Sequence, residues 1–159
     1  MSEPERLMTA SACIAKVVID TQTWIDLLHF GDPRCEPLAG ALQARRVTAF
    51  RDDATKRELI RVLGYAPFAL SDTARAALLQ RFMALSHDWS PSVDGSAARL
   101  PRCRDPDDQM FLELAHRSGV DVLISRDKAL LALDRRCRKL GFAVLRADDA
   151  QLLNRLPLG

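Results

Sequence analysis

The sequence predicts an α/β fold in which helices enclose a central parallel sheet. Short apolar, β-branched runs alternate along the chain with amphipathic helical stretches, the order that builds a parallel sheet. Apolar residues make up 48% of the 159 positions, enough for a buried core in a chain whose length fits one domain. Aromatics are only 6%, and the apolar mass is mostly Leu, Ala and Val, which favours helices with a few buried strands over an all-β sandwich.

Residues 1–15 read as a loose N-terminal lead and 16–154 as one domain. Residues 16–20 (Lys-Val-Val-Ile-Asp) form an apolar run ending on an acid, a buried central strand. Trp24, Ile25, Leu27 and Leu28 follow on a helix for which Thr23 is a cap and Asp26 its capping-box partner, stopped by Gly31-Asp32-Pro33. Residues 35–45 make a second short helix, and 47–50 a second strand. Residues 52–65 are helical, with Leu59, Val62 and Leu63 on one stripe ended by Gly64 and Pro67. Ser71 caps a helix over 71–85 that turns Leu78, Leu79, Phe82 and Leu85 inward. Residues 87–104 lack periodicity, carry Pro91, Gly95 and Pro101, and read as the longest loop. Asp105 and Pro106 open a helix running to 118 that buries Phe111, Leu112, Leu114 and Ala115 and ends at Gly119. A third strand over 120–124, a helix over 127–140, a fourth strand over 142–145 and a short helix over 147–154 complete the chain.

Charge and cysteine usage narrow the function classes. Twenty-three Lys and Arg offset twenty-one acids for a net +2, so bulk charge announces no polyanion partner. If several acids share a cation, the remaining surface is more positive than that figure. The four cysteines, Cys13, Cys35, Cys103 and Cys137, show no zinc spacing. The first fifteen residues carry no secretory pattern, and no run of about 18 apolar residues offers a membrane span. The expectation is a cytoplasmic protein with reduced thiols.

Four acids carry the functional argument. Asp20 ends the first strand, where a charge after Val-Val-Ile needs solvent, a helix to cap or a cation. Asp127 follows the third strand, where it or Ser125 serves equally as a helix cap. Asp108 sits behind Asp105 and Asp107 at a helix start, and three acids in four positions exceed what a helix dipole needs. Glu58, beside an apolar stripe, is read in isolation as a solvated partner of Arg61 or Lys56. In combination, Asp20, Asp108 and Asp127 belong to one carboxyl edge of a parallel sheet, where such folds place their sites. Oxygen donors without His or Cys suit hard cations, Mg²⁺ or Mn²⁺, which support phosphoryl displacement by activating water and stabilising charge. The histidines His29, His87 and His116 share no evident location and read as incidental.

The motifs Ile19-Asp20-Thr21, Glu58-Leu59 with Val62-Leu63, Asp105-Pro106-x-Asp108 leading to Phe111-Leu112-Glu113-x-Ala115, and Ser125-x-Asp127-x-x-Leu130-Leu131 occur in order over residues 16–146. In this the chain resembles the PIN domain, and within it the bacterial toxin components of type II toxin–antitoxin systems related to VapC. The resemblance implies a compact three-layer α/β/α sandwich and a ribonuclease using Mg²⁺ or Mn²⁺. It implies Asp20, Glu58, Asp108 and Asp127 as catalytic, metal-holding acids, with Ser125, Thr21 and Asp105 in support. Gln22 departs from the shorter Asn or Ser common in the family. Arg99, Arg102 and Arg104 in the long loop, and Arg126 and Lys128 around Asp127, are candidate contacts to substrate phosphates; of these Arg104, Arg126 and Lys128 lie beside the acids. RNA is the implied substrate, a cognate antitoxin and a homodimer are candidate partners, and no membrane is expected.

Other readings of a strand-end Asp fit less well. A haloacid-dehalogenase-like phosphotransferase needs a second Asp where Gln22 stands, and a receiver domain needs an acidic pair and a late strand-end Lys. A catalytically silent PIN fold serving RNA binding or assembly is the alternative from another class.

Overall fold

The structure, a computed structural model, describes residues 13–89 and 100–157. Most of the expected lead (1–12), and residues 90–99 of the expected loop with Arg99, lie outside the described residues. Five strands form one sheet: β1 (Lys16–Ile19), β2 (Thr48–Arg51), β3 (Ser86–Asp88), β4 (Val122–Ile124) and β5 (Ala143–Leu145). Their order is β3-β2-β1-β4-β5, and every pairing is parallel. The helices are α1 (Thr21–Ile25, continuing as a π-helical turn Asp26–Phe30), α2 (Glu36–Gln43), α3 (Asp53–Leu63), α4 (Asp72–Leu85), α5 (Gln109–Ser118), α6 (Lys128–Leu131), α7 (Asp134–Arg138) and α8 (Ala150–Leu153).

The period-two alternation of a strand divides the core into two layers. Val17, Ile19, Val122, Ile124 and Leu145 face one side, with Trp24, Ile25, Leu38, Leu59, Phe82 and Leu152. Val18, Leu123 and Val144 face the other, with Phe111, Leu112, Leu114, Leu130 and Cys137. Because β1, β4 and β5 are buried on both faces, their sequences are continuous apolar runs, as a central parallel strand requires. The result is the three-layer α/β/α sandwich with a central parallel sheet. On the first side Trp24 meets Phe82 edge to face at 5.0 Å, joining α1 to α4.

The structure corrects several local readings. Among the described residues the sheet has five strands rather than four. Ser86-His87-Asp88 has neither β-branched residues nor an apolar face, so β3 is set by its neighbours. Arg51 from β2 donates to Ser86 Oγ at 2.7 Å, and Ser86 donates back to Phe82 O at 2.6 Å. Asp20, not Thr23, caps α1, and Asp26 is buried rather than a capping-box partner. The stretch 106–118 begins as a 3₁₀ turn (Pro106–Asp108) because Asp105 accepts from Asp107 N at 3.0 Å and tightens the entry. The stretch 127–140 is two helices, α6 and α7. Asp134 turns back to accept from Val144 N at 2.7 Å and so docks α7 on β5.

Two left-handed glycines end helices where side-chained residues are strained: Gly31 (φ 58°) after the π-helical turn and Gly119 (φ 66°) after α5. Among the described residues, no helix is long and apolar enough to cross a membrane.

Leu112 is fully buried in the second layer. Leu112→Ala is expected to cost about 2–5 kcal/mol. Urea unfolding should show this as a lower midpoint at unchanged slope.

Candidate metal centre

Successive crossovers run from β1 outward to β3 on one side, and β4 and β5 lie on the other, so the topology switches direction between β1 and β4. In open parallel sheets, ligands bind beyond the strand carboxyl ends at such a point. The two loops start side by side there: Asp20 N–H donates to Ile124 O at 3.0 Å, and Ser125 N–H donates to Leu145 O at 3.0 Å.

Asp20 is 4% exposed. Its Oδ1 accepts from Thr23 N–H at 2.9 Å, as the cap of α1, and its Oδ2 accepts from the Ser125 hydroxyl at 2.5 Å. Ser125, with no exposed surface, uses the same oxygen to accept from Asp127 N–H at 2.9 Å. Asp127 in turn caps α6, accepting from Leu130 N–H at 3.3 Å. The capping reading and the site reading of these two acids therefore hold together. Each carboxylate is aimed by the helix it starts, and one serine hydroxyl couples the pair. Burial pushes Asp20 above its ordinary range, opposed by the hydrogen bonds from Ser125 and Thr23, and the charge of Asp127 adds to the rise.

Asp108 completes the group from the second layer. Burial is the first cause of its raised pKa, which reaches about 7. A hydrogen bond to Asp127 follows, then the charges of Asp127, Asp105 and Asp20. Asp108 therefore holds its proton well above the ordinary carboxylate range. Cys103, buried, stands in the same place: its sulfur and one carboxylate oxygen each of Asp108 and Asp127 all lie within 4.8 Å of one another. Gln109, the first residue of α5, holds the Cys103 segment there. It accepts from Cys103 N–H at 2.7 Å and donates to Pro101 O at 3.2 Å.

The other expected residues have partners or positions of their own. Glu58 is on α3, its side chain 15% exposed, with both carboxylate oxygens taken by Arg61 at 3.0 and 2.7 Å. That is the partner its isolated reading gives it. Asp105 is exposed and caps the turn that carries Asp108. Arg104 and Lys128 are exposed. Arg126 is committed to buried Asp26 at 2.6 Å, and Gln22 donates to the same carboxylate at 3.3 Å. Thr21 is buried with a hydroxyl that has no hydrogen-bond partner. Beyond the Arg126 pair, a cleft of about 250 Å³ is lined by Arg34, Arg126 and Arg146 together with Asp26, Asp32 and Asp148.

Cys103 and Asp26 were not legible as site residues. Nothing in the sequence spacing joins Cys103 to Asp127, 24 positions on, across two elements. Asp26 had one usable signal, the i,i+4 spacing from Gln22 that lets the amide reach the acid on a helix face.

The donor set fits a divalent cation. Cys103, Asp108 and Asp127 bring three donor atoms within 4.8 Å of one another, and the neighbouring acid charges add to the raised pKa of Asp108. Without a cation the cluster makes stability fall with pH. The unfolded chain gives up the Asp108 proton near 3.8, whereas the folded chain keeps it to about 7. Across that window the folded state binds more protons, so ΔG of unfolding decreases as pH rises. Metal-free protein is expected to melt at a lower temperature near pH 8 (roughly a unit above that window) than near pH 5 (roughly inside it), with Mn²⁺ restoring stability at the higher pH. Melting points that rise with pH in the metal-free protein would contradict this.

No curated protein matches the chain. The family described as the PIN domain matches residues 16–129, from the first residue of β1 to just past Asp127. The match takes in Asp20, Glu58, Asp108, Ser125 and Asp127, and the chain belongs to the PIN-domain family.

Proposed function

We propose that this chain is a divalent-metal-dependent ribonuclease, residues 16–154 forming its nuclease domain, and that it is the toxin of a toxin–antitoxin pair. The observation that carries the nuclease reading is the convergence of Asp20, Ser125, Asp127 and Asp108 at the sheet's switch point. PIN domains are generally nucleases acting on RNA or DNA, and usually use divalent metals. The preference for RNA, and the toxin role with an antitoxin covering the pocket, rest on the resemblance to VapC-related toxins. A homodimer belongs to the same expectation.

In this reading Asp20, Asp108 and Asp127 hold the cation, Mg²⁺ or Mn²⁺. Bound there, it supplies Lewis-acid charge to the scissile phosphate and lowers the pKa of water for in-line attack. Ser125 positions the two flanking acids by donating to one and accepting beside the other. A cation held there would displace the Asp108 proton, so occupancy is expected to rise with pH through about 7. Glu58 contributes once its carboxylate leaves Arg61. Arg104 and Lys128, exposed beside the cluster, meet substrate phosphates, and Arg126 joins Arg34 and Arg146 along the neighbouring cleft.

The test is cleavage of a mixed single-stranded RNA with Mg²⁺, Mn²⁺ or EDTA. Asp20→Asn and Asp108→Asn are each expected to lower the rate by at least about 100-fold, since each removes a charge from the metal shell. Products should carry 5′-phosphate and 3′-hydroxyl ends. Cyclic 2′,3′-phosphate ends would exclude the route, and neither cleavage nor Mn²⁺ binding would leave the silent PIN fold.

A further inference from the structure

Cys103 is the unused nucleophilic group nearest the proposed centre. Its sulfur is buried and lies within 4.8 Å of carboxylate oxygens on both Asp108 and Asp127. Donor atoms around a tetrahedral Zn²⁺ stand roughly 3.3–3.7 Å apart, from Zn–S near 2.3 Å and Zn–O near 2.0–2.2 Å. The three donors, each pair within 4.8 Å, therefore close by at most roughly 1.5 Å to share one ion. The segment bearing the sulfur is fixed to α5 through Gln109, the residue following Asp108, so sulfur and carboxylate are carried by one rigid unit.

The geometry points to Cys103 as a third protein ligand, giving a mixed thiolate–carboxylate site with Asp108 and Asp127 that takes thiophilic divalent cations, Zn²⁺ and its analogue Cd²⁺, ahead of Mg²⁺. The inference rests on reading the acidic cluster as a metal centre and adds a ligand and a selectivity to it. Thiolate donors favour such ions, whereas an all-oxygen set suits Mg²⁺ and Mn²⁺. On binding, the thiol releases its proton to solvent and sulfur takes the cation. A thiophilic ion then occupies the residues that the hard catalytic ion needs, so Zn²⁺ competes with Mn²⁺ for the centre.

The test is a Cd²⁺ titration of the full metal-free chain, followed by ultraviolet absorbance and calorimetry, with exposed Cys13 replaced by Ser in every sample. Cysteine 103 as a ligand gives a thiolate-to-Cd²⁺ charge-transfer band at one equivalent. Cys103→Ser removes that band and weakens Cd²⁺ by about tenfold or more, while Mn²⁺ binding persists. Cys35→Ser keeps the band. Cadmium NMR of the chain with Cys103 intact checks the same point without relying on the fold of the variant: the resonance should lie downfield of an all-oxygen site. A band retained in Cys103→Ser, or an all-oxygen cadmium resonance, overturns the thiol ligand and leaves the carboxylate centre standing. Absence of both Cd²⁺ and Mn²⁺ binding overturns the centre itself.

Discussion

Everything at the site depends on one buried carboxylate at the point where the sheet changes direction. Asp20 leaves β1 between the two halves of the sheet, nearly without solvent contact. A buried carboxylate is costly unless both oxygens are satisfied. One oxygen is met by the first turn of α1 through Thr23, the other by Ser125 from the strand across the switch. Satisfying Asp20 therefore fixes the loop after β4 against the loop after β1, and with it the direction of Asp127.

The same economy recurs through the cluster. Asp20, Asp105 and Asp127 each cap a helical turn, so the backbone N–H groups at those helix starts stabilise charge that the core would otherwise expel. The caps do not remove the repulsion. Asp108 answers it by keeping a proton, and a cation would answer it by replacing that proton. Capping geometry and cation geometry are thus two uses of one arrangement, the first available to the metal-free protein and the second to the loaded one.

The basic residues lining the neighbouring cleft are balanced one by one. Arg126 is bound to Asp26, Arg34 to Asp32 and Arg146 lies 3.5 Å from Asp148, so the cleft they line is locally near neutral. Ion pairs at exposed guanidiniums are weak enough for phosphates to compete for them. The buried Asp26 end of the Arg126 pair is different: it holds the segment after Ser125 to the π-helical turn of α1. That arginine has a structural task beside any contact with substrate.

The sequence by itself determined the class of fold and the chemistry of the edge. Runs such as Val17–Ile19 and Val122–Ile124 are apolar on both faces, so they had to be central parallel strands, and acids directly after them had to lie at the carboxyl edge. Helix starts and stops were also local, set by Ser71, Asp105 and Gly119. Tertiary structure alone decided the rest. It made a strand of Ser86–Asp88 by pairing, gave Asp20 the cap that Thr23 seemed to own, and held Glu58 on Arg61. It also brought Cys103 to Asp127. The physical reason is that these outcomes depend on which buried donor faces which acceptor across the packed layers, and spacing along one chain carries no record of that.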